Sequence, residues 1–399
     1  MPTALVAVPS TEPAIAIAAL PPLSLYVHVP WCVRKCPYCD FNSHEVHGQL
    51  PEERYVQALT SDLEQTLPSV WGRRVHTVFF GGGTPSLLSP RALEEVLSSI
   101  RARVPLDPNA EITLEANPGT FEVDKFAEFR RLGINRLSIG VQSFNARHLK
   151  ALGRIHDDQQ ARRAVETART HFDNVNLDLM YALPEQGLIE AEADVCAAVE
   201  FAPRHISAYQ LTIEPNTYFH RHRPPLPDDQ LAADMQDTIE ALLAEHGYVH
   251  YETSAFARPG YQSRHNVNYW LFGDYLGIGA GAHSKISFAD RVVRQVRWKH
   301  PRAYLDRVLD QPIQHENSVT SDELAFEFMM NALRLTHGFR TRLFEERTGL
   351  SLLTVQRELD EAERLGFITR SHTDIRPTVR GQRFLNDLLE LFLPDASQP

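Results

Sequence analysis

Cysteine is scarce in this chain, with four among 399 residues. That excludes a disulfide framework as the organising principle. Positive charge is also in deficit: 40 Lys and Arg face 51 Asp and Glu, a formal net charge of −11. Such a balance argues against a general binder of nucleic acid or anionic membranes. No apolar stretch is long enough to span a bilayer, and the longest near the start, Ala14–Leu20, falls far short. No Lys or Arg precedes Arg34, so Met1–Pro22 lacks the basic start of a signal peptide. Ala/Pro-rich and carrying one charge, Glu12, it reads as a disordered leader, and the expected location is cytoplasmic.

What is present is an ordinary globular composition, 43% hydrophobic and 23% charged, sufficient for a large core in two or three domains. Three of the four cysteines, Cys32, Cys36 and Cys39, fall within eight residues, which points to a metal or redox site. From Leu23 onward short apolar runs alternate with helical patterns. The expected strands are Ser24–Val29, Val75–Phe80, Glu111–Glu115, Arg136–Gly140, Asn174–Met180 and His205–Leu211. Several are continuous apolar runs, as in strands buried on both faces. Helices are expected at Glu52–Leu67, Pro90–Ile100 and Val123–Leu132. This alternation predicts a parallel α/β architecture, open or closed into a barrel, with function at the carboxyl ends of the strands.

Residues 224–318 are less regular, apart from a helix over Leu231–His246. The tail from Val319 to the end reads as a separate small domain. Thr320-Ser-Asp-Glu323 predicts a capping box, Ser351 a helix running to Leu365, Phe367–Val379 a hairpin, and Gln382–Phe392 a last helix. The order resembles a winged helix. Yet Ser351–Leu365 carries Arg357 and Arg364 against Glu358, Asp360, Glu361 and Glu363, the wrong sign for a DNA groove.

Three thiolates on one tight loop can bind three irons of a cubane cluster and leave the fourth open. A closed zinc site would need a fourth ligand, and His28 or His44 could serve. Cys196 stands alone in a helical pattern.

The CxxxCxxC spacing resembles the radical S-adenosylmethionine (SAM) superfamily. Tyr26-x-His-x-Pro-x-Cys32, Gly81-Gly-Gly-Thr84-Pro85, Glu115-x-Asn-Pro118, Gly140-Val-Gln142-Ser-Phe144 and Leu177-Asp178-Leu179-Met-Tyr181-x-Leu-Pro184 are similar to the HemN/HemW group. That group contains oxygen-independent coproporphyrinogen oxidases and haem chaperones. The oxidase branch resembles CxxxCxxCxC, whereas Phe41 occupies the last of those positions here. Arg264-His265-Asn266-Val-Asn-Tyr269-Trp270 resembles the HNxxYW motif of the chaperone branch. The resemblance therefore favours a haem chaperone, with the oxidase of porphyrin biosynthesis as the alternative and a zinc or interaction module as a third reading.

The resemblance implies a radical-SAM partial (β/α)6 barrel over 23–223, an extension with extra strands over 224–318, and a small, mainly helical, winged-helix-like domain over 319–399. It implies a 4Fe–4S cluster on Cys32, Cys36 and Cys39, with SAM on its open iron. SAM would contact Tyr26, Gly82, Gly83, Thr84, Glu115, Gln142, Arg154 and Asp178. Glycine lets backbone approach a ligand closely, although three in a row also make a tight turn. Glu115, Gln142 and Asp178 can bond ribose hydroxyls or an ammonium, and Arg154 a carboxylate. His265 is the candidate haem ligand, or else a histidine that only supports a turn. His220 and His222, beside Arg221 and Arg223, read as a solvated basic loop that could meet propionates. The implied partners are haem and an acceptor protein, with no nucleic acid and no integral membrane segment.

Overall fold

The structure, a computed structural model, is described over residues 15–119 and 123–394. Six strands follow one another in parallel: β1 (Leu23–Val29), β2 (Val75–Gly82), β3 (Leu106–Ala116), β4 (Arg136–Gln142), β5 (Asn174–Tyr181) and β6 (His205–Gln210). Every expected strand is present. Helices between them include α1 (Glu52–Thr66), α2 (Pro90–Arg103), α3 (Phe126–Leu132), α4 (Asp158–His171) and α5 (Leu188–Glu200). Their starts and stops are chemical. Ser89 caps α2 ahead of Pro90, Asp157 and Gln160 form a capping box on α4, and Gly133 ends α3 at φ 103°.

Further strands extend both edges. β7 (Val249–Glu252) and β8 (Ala255–Ala257) follow helix α6 (Asp229–Glu245), and β8 joins β6 antiparallel. Beyond helix α7 (Arg264–Trp270), β9 (Asp274–Ile278) runs parallel to β1 on its other side. β10 (His283–Ser287), β11 (Val292–Arg297) and β12 (Ile313–Ser318) continue antiparallel from there. The sheet order is β12-β11-β10-β9-β1-β2-β3-β4-β5-β6-β8-β7, an unclosed partial barrel. Its main core is a continuous apolar cluster that includes Leu25, Val27, Phe80, Leu114, Ile139 and Leu177, all fully buried.

A second core belongs to the C-terminal part, around Phe328, Phe344, Leu359 and Leu388. The Thr320–Glu323 capping box opens helix Ser321–Ala332. Strands β13 (Phe339–Arg340), β14 (Ile368–Arg370) and β15 (Asp374–Pro377) form a small sheet in the order β13-β15-β14. The helix expected over Ser351–Leu365 is broken. A 3-10 turn, Leu352–Val355, precedes the α-helix Gln356–Arg364. The last expected helix divides at Phe384 into Val379–Arg383 and Leu385–Glu390.

Residues 1–14 of the expected leader lie outside the described residues. Residues 15–22 are not loose. Ile17 is buried in the second core, its N–H bonds Ala289 O at 2.9 Å, and Ala16 N–H reaches Gly349 O. No helix among the described residues is long and apolar enough to cross a membrane.

Candidate functional site

The three cysteines lie on the loop that leaves β1. A short parallel pairing of Trp31–Cys32 with His44–Glu45 closes the loop, and Cys39 N–H bonds Cys36 O at 3.1 Å. Lys35 Nζ donates to the carbonyls of Phe41 and Ser43, while Asn42 Nδ2 donates to those of Ala280 and Lys299. The loop is thus pinned to itself and to the β9 side of the sheet.

The glycines after β2 dock on that loop. Gly83 N–H bonds Val29 O and Thr84 N–H bonds Trp31 O, both at 2.7 Å. Gly82 has φ 113°, and a Cβ there would stand 2.5 Å from the His28 ring. A Cβ on Gly83 would stand 2.5 Å from Trp31 O. Side chains are excluded here by the contact between two loops, whatever else the glycines admit.

Thiols and glycines open into one cavity of about 340 Å³ at the carboxyl ends of the strands. Gly82, Gly83, Thr84, Glu115, Gln142, Arg154 and Asp178 all line it together with Cys32, Cys36 and Cys39. Sequence reasoning missed Tyr38, Asn117, Ser138, Met180 and Tyr209, which also line it. Asn117 stood within a quoted motif and was the most readable of them. Its Nδ2 donates to Thr84 Oγ1, and its Oδ1 accepts from Arg154 Nη2 at 2.7 Å. Arg154 also bonds Gly140 O at 2.8 Å and approaches Cys36 Sγ at 3.6 Å, yet its buried Nε has no partner.

Two carboxylates share this wall. Burial, then the charge of Asp178, pushes Glu115 from its ordinary 4.5 up to about 8, against one hydrogen bond from Gly82 N–H. Burial also raises Asp178, which accepts from Ser138 Oγ and Asn176 Nδ2. Neither has a salt bridge within 4 Å among the described residues. Such a pocket suits a ligand rich in hydroxyl and ammonium donors, while the unpartnered Nε–H of Arg154 suits a carboxylate oxygen.

Gln142 sits at φ 68°, in the left-handed region, where β4 slips register against β5. The next residues hold that turn. Ser143 Oγ and Phe144 N–H both donate to buried Asp194 on α5, at 2.6 and 2.7 Å. The Gln-Ser-Phe run therefore aims Gln142 into the cavity.

Tyr26, His28 and His265 lie deeper. Tyr26 OH bonds His28 Nδ1 at 3.1 Å beneath the cavity wall, and His28 Nε2 is bonded to Asn42 O. Burial lowers His28 to about 4. His44 bonds Asn42 Oδ1. Neither expected fourth zinc ligand is directed at the thiols. Among the described residues no three His, Cys, Asp or Glu side chains converge on one metal ion. Ligands of a cubane each hold a different iron, so they stand apart. Cys196 is half-buried on α5.

His265 is not brought to the cavity. It is buried on α7, its Nδ1 paired with Thr77 Oγ1 at 2.8 Å and its ring stacked on Phe79. Its Nε2 is buried without a partner, and burial lowers it to about 3.

The family profile described as "Radical SAM superfamily" matches residues 26–195, and "HemN C-terminal domain" matches 319–384. "Heme chaperone HemW" of Escherichia coli (strain K12) is 49% identical over 94% of this chain and 99% of its own length. The protein of that name from Haemophilus influenzae is 46% identical with the same coverage. The one from Bacillus subtilis (strain 168) is 34% identical over 93% of this chain and 99% of its own. The solved coproporphyrinogen III oxidase HemN of Escherichia coli superposes with TM-score 0.80 at 24% identity, covering 94% of this chain and 90% of that one.

Proposed function

The chain belongs to the HemW family of the radical SAM superfamily, and from that membership we propose a haem chaperone, which binds haem and passes it to an acceptor protein. The family implies a 4Fe–4S cluster and SAM, and the donor set fits both. Cys32, Cys36 and Cys39 would hold the cluster and leave one iron open. When bound and reduced, such a cluster would supply an electron for cleaving the SAM sulfonium. The chain's own residues bind and orient. Arg154, steadied by Asn117, would take the SAM carboxylate, and Gly82 and Gly83 leave room for its amino group. Glu115, Gln142 and Asp178 would accept from its ribose and ammonium hydrogens, and Tyr26 would support the floor.

The observation that carries this reading is the single cavity, where all three thiols meet seven of the eight SAM candidates and Phe41 stands at the lining. On this reading residues 23–223 carry the pocket, 224–318 extend the barrel, and 319–399 form an accessory domain. Anaerobic reconstitution should yield about four irons and four sulfides per chain. Haem titration should then show stoichiometric binding, and coproporphyrinogen should not be decarboxylated. Turnover of coproporphyrinogen, or no haem binding by the reconstituted protein, sinks the proposal.

A further inference from the structure

We propose that the exposed segment Tyr218–Arg223, on the loop after β6, receives haem, with Arg221 and Arg223 on its propionates and His220 on its iron. The inference rests on the haem reading above and places the cargo away from the HNxxYW helix.

The segment is built outward from a fixed base. Thr217 caps the short helix Tyr218–Arg221, accepting from His220 N–H at 3.1 Å. Phe219 is buried against Leu152, Leu183 and Leu211. Its N–H bonds Pro37 O at 3.0 Å, within the cysteine loop. Pro37 in turn lies on Gly153, where a Cβ would come within 2.7 Å of it. The base is thereby docked beside Cys36 and Arg154.

With Phe219 turned inward, Tyr218, His220, Arg221, His222 and Arg223 are all exposed. Neither Arg221 nor Arg223 has a salt bridge within 4 Å among the described residues, whereas nearby Arg147 is held by Glu190. The Tyr218 ring rests on His222 at 4.4 Å, and among the described residues no hydrogen bond or ring contact engages the His220 imidazole. Pro224 and Pro225 follow and stiffen the exit.

Haem is a flat apolar ring with two carboxylates on one edge and an iron that takes imidazole. Two unpaired guanidinium groups, an uncommitted imidazole and an exposed aromatic face supply the matching groups. Phe41 stands 63% exposed on the cysteine loop that Phe219 docks against. His265 offers the reverse: a committed Nδ1, a buried Nε2 and a ring covered by Phe79.

The test is titration of the full-length, anaerobically reconstituted protein with haem, and with iron mesoporphyrin dimethyl ester, whose propionates are blocked. Arg221→Ala with Arg223→Ala, which removes both propionate contacts, should weaken haem binding by about tenfold or more. It should leave affinity for the ester unchanged. His220→Ala should shift the Soret band, and His265→Ala should not. These rim residues are exposed, so melting temperature and SAM binding should stay at wild-type values in the rim variants. Wild-type affinity and spectrum in every rim variant overturn the site while leaving the chaperone reading intact. Failure of the wild type to bind haem overturns both.

Discussion

Two carboxylates buried on the same sheet meet opposite conditions. Asp274, at the start of β9, accepts from Lys285 Nζ at 3.0 Å, Ser287 N–H at 2.9 Å and Ser287 Oγ at 2.7 Å, with Arg73 at 2.8 Å. Burial alone would raise its pKa, but Lys285, Arg73 and Ser287 together hold it below the ordinary 3.8. Glu115, at the end of β3, has one backbone donor and a neighbouring carboxylate, and stands at about 8. The seam is completed by the chain itself. The pocket is completed only by something that brings donors.

The largest break in that comparison is Asp274→Ala. It takes the counter-charge away from buried Lys285 and from Arg73 and should cost about 3–5 kcal/mol, read as a fall in urea midpoint. Wild-type stability would show that the seam contributes nothing. Next is Glu115→Gln. Glu115 holds its proton more tightly folded, at about 8, than at its ordinary 4.5, so ligand-free protein should lose stability as pH rises between those values. The variant should flatten that slope and bind SAM more weakly. Asp274 runs the other way: its contribution is present above its ordinary 3.8 and lost as pH falls through the lowered folded value. A slope of one sign throughout would contradict the contrast.

Asp194→Asn tests whether the strain at Gln142 is supported from α5. It weakens two hydrogen bonds to a carboxylate and should cost about 1–2 kcal/mol, with a matching loss of SAM affinity by calorimetry. The smallest effect belongs to Gln142→Gly. Relief of positive φ and the added freedom of glycine nearly cancel, so stability should move by less than about 1 kcal/mol while SAM affinity falls. A large stabilisation would mean the strain is uncompensated.

Much of this was legible in the sequence because β1–β6 are apolar runs that end on chemistry-bearing residues. β9 was not, since Asp-Tyr-Leu-Gly-Ile shows neither alternation nor a long apolar run, and its place beside β1 is set by pairing from over 240 positions away. Gln142 was readable as a site residue, but its left-handed backbone was not, because it is supported by the tertiary hold of Asp194 on the two residues that follow. His265 shows the converse, since its surroundings were not legible. A motif can name a residue without revealing that Thr77 and Phe79 have already claimed it. The unbroken C-terminal helices were read from periodicity, which does not register a local 3-10 turn or the irregular backbone of Phe384.

The strap over residues 15–22 has a consequence for the order of assembly. Ile17 is made well before Phe328 and Leu388, the residues with which it shares the second core. Pro22 O likewise waits for Asp274 N–H. The strap therefore cannot seat in that core until those later residues are available, which makes it a late lock on a barrel that can begin folding without it.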